Sequence, residues 1–598
     1  MNTEKDSWRN FIMESEPIEM AALGRPLYPG MLYNCCKDSF IPGVTLWDKA
    51  SLYKDLDTHI RPRTDLKFSS SDTLSSKSSL MDISASLKAS FMGGLVEVGG
   101  SAKYLHDTKS SNQQSRVTMN YTQTTRFDQL TMTQLSDITY PEVFEKKTAT
   151  HVVTAVLYGA QAFMVFDQTF SEDENKQTIE GELNVMVKKI PTFSIEGKGS
   201  LELTVGEKKI AENISCTFYG DFLLAQNPTT YMEALQVYKE LPKLLKDNPE
   251  NVVPIKVWLY PLHMLNTQAA RLMTEISTSL LFNTEAVMEN LEKVERRCND
   301  LFSRTQVNLS SDIKERLTSF QSSFNIYKLV FQKALRRVLP AIRGGGEKEQ
   351  SLENILKIHT RSPFNASKLN TYLDNTKSEL VLVTSYTRSL KGIAAVDANG
   401  LTTILCNPDI DVVVCLTLTS LKYEDPYLSS LYEFLQYDEF MEVDGKPTLH
   451  SITPRRIIEW FKDPEAIKNI RVNLSLFKSF ADASKDDKKM CFVVSAISDS
   501  SSPGSSIYLY EQGTLTNRHF KPPVSKLPKP IVKSINENSV SLILQKSPTG
   551  ETVQYRVEYK EEKTEKEEWI FINTSDEHVT LTRLKFGKEY LIRYRTVQ

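Results

Sequence analysis

The sequence predicts a multidomain α+β protein: a strand-rich N-terminal part carrying helical clusters, a bundle of long helices, a small α/β domain and a C-terminal β-sandwich. Three observations carry this reading. At 598 residues the chain exceeds what one hydrophobic core organises and should divide into roughly three to five domains. Its hydrophobic period switches abruptly from two to between three and four after Leu265. A proline-stiffened stretch, KPPVSKLPKP (521–530), then separates off a run of short alternating segments.

Residues 20–262 read mainly as strands with Gly and Ser punctuation. The Val-rich run 149–167 is either two buried strands or one long bent one, and Gly159 is where such a strand bends without a Cβ penalty. Beyond Leu265, Val287, Leu291, Val294, Cys298 and Leu301 form one helical seam, and Ile313, Leu317, Phe320, Phe324, Tyr327 and Phe331 a second. Pro340 is expected to stop the second helix, with RGGGEKEQ as a flexible connection. Amphipathic segments at 352–359 and 369–383 complete a four-helix bundle. IDVVVCLTLTS (410–420), a helix opening at the Thr453-Pro454 cap, CFVVSAIS and SIYLYEQG alternate as in a small α/β domain. SVSLILQ, VQYRVEYK, EEWIFIN, VTLTRL and KEYLIRYRTV are spaced as in a β-sandwich, and the chain stops after what should be the sixth of seven strands.

Composition narrows the function. With 40% hydrophobic and 25% charged residues the chain is ordinary globular material. A net charge of -3, without a basic cluster interleaved with aromatics, gives no reason to expect nucleic acid as a partner. The N-terminus lacks the apolar core of a secretory signal, and no run approaches the ~20 apolar residues of a membrane-spanning helix. The expected location is therefore cytoplasmic or, after a non-classical release, at a membrane surface. Seven scattered cysteines without a C-x-x-C pair argue against a disulfide framework, a zinc site or a dithiol centre.

No catalytic constellation, cofactor fingerprint or metal-ligand spacing emerges, so no enzyme activity is expected. His151 lies in an apolar strand, where a hydrogen-bonded core histidine is the expectation and a general base is not. Two dual-coded segments do stand out. In SLMDISASLKASF, Met81, Ile83, Leu87 and Phe91 lie on the apolar side of a two-residue alternation, yet Leu80, Ile83, Leu87 and Phe91 also share a helical stripe. In FSIEGKGSLELTV, Phe193, Ile195, Leu201, Leu203 and Val205 alternate with Ser, Glu, Lys and Thr, and just before it Leu183, Val185 and Val187 alternate too, while Leu183, Val187 and Ile190 equally line a helix. Each is long enough for membrane strands of ~9–11 residues, with a polar face suited to a water-lined wall. Gly93, Gly94, Gly99 and Gly100 follow the first segment as candidate hinges, beside Gly159 in the sheet.

ALGRPLYPGMLY (22–33), FMGGLVEVGGSAKYL (91–105), THVVTAVLYGA (150–160), VERRCNDL (294–301), RGGG (343–346) and CLTLTSLKYEDPYL (415–428) resemble the stonefish-toxin family (stonustoxin, neoverrucotoxin and verrucotoxin). The resemblance implies an extension over 1–19, a pore-forming domain like those of perforin and the cholesterol-dependent cytolysins (MACPF/CDC-like) over 20–262, and a focal-adhesion-targeting-like bundle over 263–387. A thioredoxin-like domain without C-x-x-C follows over 388–520. The family's two helical clusters, understood to unfurl into transmembrane β-hairpins, match 76–118 and 182–205 here. Implied partners are membrane lipid, cholesterol-containing membranes among them, and further copies or a related subunit in an oligomer.

The family's toxins end in a SPRY-type domain. Here 521–598 read as linker and fibronectin type III-like sandwich, with Leu584 and Tyr590 at tyrosine-corner spacing. The leading expectation is a non-enzymatic protein that oligomerises on membranes and inserts β-hairpins. The alternative is a non-lytic intracellular scaffold on a retired pore-forming fold, meeting protein partners through the bundle or the sandwich.

Overall fold

The two-residue alternation of the N-terminal part builds an eight-stranded antiparallel sheet from β1 (Ile18–Ala21), β2 (Met31–Asn34), β3 (Ser39–Thr45), β4 (Leu56–Ser69), β5 (Gln114–Leu130), β6 (His151–Thr169), β7 (Ser215–Gly220) and β8 (Val253–Pro261). The computed structural model describes residues 16–54, 56–131, 137–195, 203–305, 308–437, 440, 459–484, 487–522, 529–545, 554–562 and 569–597. The chain forms two units: Met1–Leu301 with Ser319–Leu373 and Tyr427–Ile452, and Phe302–Thr318 with Asp374–Pro426 and Thr453–Gln598.

The Val-rich run is one strand, β6, and it is the hub of the sheet. One edge pairs with β2 and β5; the other pairs with β8 as far as Gly159 and with β7 from Ala162. Gly159 marks the changeover. A Cβ there would lie 2.2 Å from the Gln123 carbonyl oxygen and 2.8 Å from Thr124 Cα, so only glycine lets β5 approach, at the bulge between Thr124 and Arg126. His151 is buried and its Nδ1 lies 2.9 Å from Thr150 Oγ1. Burial, reinforced by His263, pushes its imidazole down to about 3, which suits a neutral core histidine.

Two helical insertions interrupt this sheet. Between β4 and β5 lie α1 (Leu74–Leu80), α2 (Ala85–Met92) and a 3₁₀ turn (Gly100–His106); between β6 and β7 lie α3 (Lys176–Lys189), α4 (Thr192–Ile195) and α5 (Val205–Glu212). Local chemistry explains why helix prevails over alternation. Thr73 caps α1 at Ser76 N–H, Ser84 caps α2 at Leu87 N–H, Asn175 caps α3, and Thr204 with Glu207 forms a reciprocal capping box on α5. α6 (Tyr231–Asp247), with a second such box, leads into β8.

The long-period segments form α7 (Thr278–Ser303), α8 (Ser311–Arg343), α9 (Gln350–Arg361) and α10 (Ala366–Ser389). Leu291, Val294, Cys298 and Leu301 of one seam and all six residues of the other are buried. Tyr327 stacks on Phe364 at 4.1 Å and its hydroxyl meets His359 Nδ1 at 2.7 Å. Pro340 does not stop α8. Its ring suits helical φ, and the helix runs on to Arg343; the stop is set just beyond it at Gly345, where φ is +75° and Gly346 N–H donates to Ala341 O at 2.9 Å.

In the second unit, β9 (Ala394–Ala395), β10 (Val412–Leu418), β11 (Met490–Ala496), β12 (Ser505–Glu511) and β13 (Thr514–Asn517) make a mixed sheet, with β10 parallel to β11 at its centre. Cys415 and Cys491 sit on β10 and β11, and burial raises both thiols, Cys415 to about 12. Residues 453–458 of the expected helix lie outside the described residues. Trp460–Lys462 is a 3₁₀ turn, and the helix there is Pro464–Ala483, started by an Asp463 cap with proline at its first position. Strands β14 (Ile531–Asn536), β15 (Ser539–Ile543) and β18 (His578–Leu581) form one C-terminal sheet; β16 (Gln554–Glu561), β17 (Ile570–Thr574) and β19 (Tyr590–Val597) form another. They share a core of Leu542, Leu544, Tyr555, Val557 and Leu581. Tyr590 Oη accepts from Lys585 N–H at 2.9 Å, as the tyrosine-corner spacing requires.

Candidate functional site

The two insertions leave the sheet at the same end. Ser69 of β4 pairs with Thr118 of β5, Gln114 with Thr169 of β6, and Asp167 with Ser215 of β7. Four neighbouring antiparallel strands therefore stop within about four residues of one level, and each insertion joins an adjacent pair. Residues 70–113 and 170–214 give roughly 45 residues per insertion. Paid out as a hairpin, each leg of about 20 residues reaches about 65 Å, twice the ~30 Å of a hydrocarbon core.

The first insertion is held by buried charge. In α2, Lys88 Nζ lies 2.6 Å from Glu285 Oε2 of α7, with side chains 9% and 6% exposed. Arg343, the last residue of α8 and 2% exposed, donates to Asp38 Oδ2 at 2.8 Å, to Ser90 Oγ at 2.6 Å and to both Ser86 oxygens at 2.9 Å. Gln332 Nε2 reaches Met92 O, and a Cβ on Gly93 would lie 3.2 Å from Leu339 Cδ1. Ser86, Lys88 and Ser90 are the alternate positions that form the polar face of the strand reading. The groups suited to a water-lined wall are thus the groups that dock the helix, while Leu87, Ala89 and Met92 bury the apolar side.

At the root of the same insertion Arg116 on β5 bridges Asp167, Asp72 and Asp107 at 2.8, 3.0 and 3.2 Å, and Lys77 of α1 pairs with Asp72 at 3.2 Å. Burial alone would lower the guanidinium; the hydrogen-bonded Asp167 and the other two carboxylates outweigh it and hold it charged. Asp221, just past β7, accepts from Ser101 N–H and Oγ at 2.9 Å and from Gln161 N–H at 3.0 Å, although burial pushes its carboxyl up.

The second insertion is held by apolar burial. Leu183, Met186, Val187, Ile190 and Leu203 pack with Val117, Met119, Tyr121, Met164 and Phe166 of the sheet, and Phe193 lies against this cluster. Tyr231 Oη donates to Met186 O at 2.8 Å.

Met81 and Leu87 are buried, Ile83 and Phe91 half-buried, and Phe91 rests on His106 with centroids 4.9 Å apart. Val205 is exposed at the start of α5; Leu201 and the side chain of Ile195 lie outside the described residues. Gly94 and Gly100 have φ of +67° and +51°, and a Cβ on Gly100 would strike Asp221 Oδ1 at 2.3 Å. These two are already in a glycine conformation in the docked state; Gly93 and Gly99 are not. Sequence reading missed Asp38, Glu285, Arg116 and Asp221. Lys88 and Glu285 are 197 positions apart, and only Arg343 carried a signal, as the first residue of RGGG.

This topology defines a MACPF/CDC-like protein: the family profile described as "SNTX, MACPF/CDC-like domain" matches residues 17–242. The "Stonustoxin helical domain" matches 286–381 and the "Thioredoxin-like SNTX domain" 394–522. The chain belongs to the stonustoxin family. It is 37% identical over 511 residues to stonustoxin subunit alpha of Synanceia horrida, spanning 85% of this chain and 72% of that one. Cytolytic toxin-alpha of Scorpaena plumieri is 36% identical over 524 residues (87% and 73%), and neoverrucotoxin subunit beta of Synanceia verrucosa 36% over 518 (86% and 72%). The solved stonustoxin structure superposes with a TM-score of 0.65 at 28% identity, covering 91% of this chain and 82% of that one.

Proposed function

We propose that this chain is a pore-forming protein that assembles with further copies or a related subunit on a membrane and releases both insertions as β-hairpins. The observation that carries the reading is the near-common level of the four strand ends, with two strand-coded insertions of matching length placed to extend β4 to β7. Kinship with subunits named as cytolytic toxins supports it. Met81, Ile83, Leu87, Phe91, Phe193, Ile195, Leu201, Leu203 and Val205 are the proposed lipid-facing positions, and Gly99 the hinge. An open edge in lipid would leave backbone groups unsatisfied, so insertion requires closure by many copies. No catalytic role is assigned to any residue. Among the described residues no helix is long and apolar enough to cross a membrane.

The test is a reversible lock. Gly93→Cys with Leu339→Cys joins α2 to α8 where a Cβ and the leucine methyl already approach to 3.2 Å. The oxidised protein should release no dye from cholesterol-containing or cholesterol-free liposomes, and reduction should restore release. Undiminished leakage from the oxidised form would refute release of the first insertion.

A further inference from the structure

The C-terminal sandwich turns one face inward and leaves the other to solvent. Tyr555, Val557 and Tyr559 of β16 are in the core, so Arg556, Glu558 and Lys560 point outward. Register sets three cross-strand rows on that outer face: Arg595 and Asn573 flank Arg556, Arg593 and Phe571 flank Glu558, and Leu591 flanks Lys560. Trp569 closes the last row, with Arg593 4.0 Å and Lys560 5.1 Å from its ring centroid, while Arg556 stacks 3.9 Å over Phe571.

Among the described residues of these rows there are four cations, Arg556, Lys560, Arg593 and Arg595, and one carboxylate, Glu558. Glu558 pairs with Arg593 at 2.7 Å, Arg556 at 2.9 Å and Arg595 at 3.8 Å, so one negative charge serves three guanidinium groups. The side chains of Arg593 and Arg595 are 61% and 65% exposed, and Phe571 is 53% exposed. A ladder that served only to stabilise the sheet would balance its charges and shelter its rings. This one displays a net positive charge with aromatic and leucine side chains between the cations, in a chain whose overall charge is -3.

We propose that this face docks the protein on an anionic lipid surface. The rows lie side by side on one three-stranded sheet, so the cations are presented together on one face, as contact with a charged bilayer plane requires. Exposed arginines match lipid phosphate and carboxylate groups, and Trp569, Phe571 and Leu591 suit the interfacial layer, where amphipathic rings settle. The choice of a bilayer as occupant rests on the pore-forming reading; the charge of the face does not.

Flotation of the full chain with vesicles separates the two ideas, because binding and dye release are read from the same sample. The wild type should float with vesicles of phosphatidylcholine and phosphatidylserine at about 7:3 and stay behind with phosphatidylcholine alone, and salt should weaken binding. R593Q/R595Q should lower the partition coefficient about 30-fold. R595Q alone, at the most exposed cation, should lower it several-fold with unchanged thermal unfolding. K468Q/K478Q, an equal charge change on the Pro464–Ala483 helix, should leave it unaltered. Equal flotation with both vesicle types, equal loss in K468Q/K478Q, or capture only by vesicles bearing a sialylated glycolipid would overturn the proposal. Leakage from vesicles without phosphatidylserine dependence would retain the pore and remove the docking face; flotation without leakage would do the reverse.

Discussion

Replacing Glu285 by Gln should undock α2 without unfolding the protein. The substitution keeps shape and removes the charge that compensates Lys88, whose Nζ lies 2.6 Å away in a site where both side chains are almost wholly buried. Removing one partner of such a pair costs about 3–5 kcal/mol, because the remaining charge is left without compensation in a poorly hydrated site. If the cost falls on docking, the undocked population of α2 rises at least about 100-fold at ~1.4 kcal/mol per tenfold. Hydrogen exchange followed by mass spectrometry reads this directly. Amides of Ala85–Met92 should exchange about 100-fold faster, while those of Lys176–Lys189, held by apolar contacts, keep their rates. The double variant K88M/E285L, which substitutes apolar packing for the pair, should restore slow exchange. Unchanged protection over 85–92 in E285Q, or acceleration spread evenly over both insertions, would refute the assignment of this pair as a local clamp.

Other outcomes follow from the same structure. Leu183→Ala removes a fully buried side chain between α3 and the sheet and should lower unfolding free energy by about 2–5 kcal/mol in urea titrations. His359 is buried beside Tyr327, and burial pushes its imidazole down to about 4. The unfolded histidine takes up a proton below about 6.5 while the folded one does not, so its stabilising contribution is complete above that pH and falls as pH drops towards 4. Between pH 7 and pH 5 this removes about 2 kcal/mol, and H359Q should flatten that part of the pH dependence of the urea midpoint. Tyr590→Phe should cost the C-terminal sandwich about 1 kcal/mol through the lost Lys585 hydrogen bond, seen as faster hydrogen exchange of the Tyr590–Val597 amides.

The helical seams were legible because burial repeats every three to four residues, and the structure buries nearly every residue they named. The end of α8 was misjudged for a local reason: Pro340 tolerates the last turn, and the stop signal is the positive φ of Gly345. For the dual-coded segments the sequence held both periods at once, so periodicity could not select between them. Caps at Thr73, Ser84, Asn175 and Thr204 favour helix locally, and they were readable in principle as Ser, Thr or Asn ahead of each run.

By itself, then, the sequence determined the succession of strand, helix, α/β and sandwich segments, since each follows from spacing along the chain. It also determined that 79–91 and 193–205 can present one apolar and one polar face as strands. What only the tertiary structure decided is how the first of these is kept folded. The near-common level of the strand ends depends on register between strands distant in sequence, and the clamp joins Lys88 to Glu285 and Ser86 and Ser90 to Arg343. Buried charges find partners through space, and their energy depends on exclusion of water, which no local pattern of residues encodes.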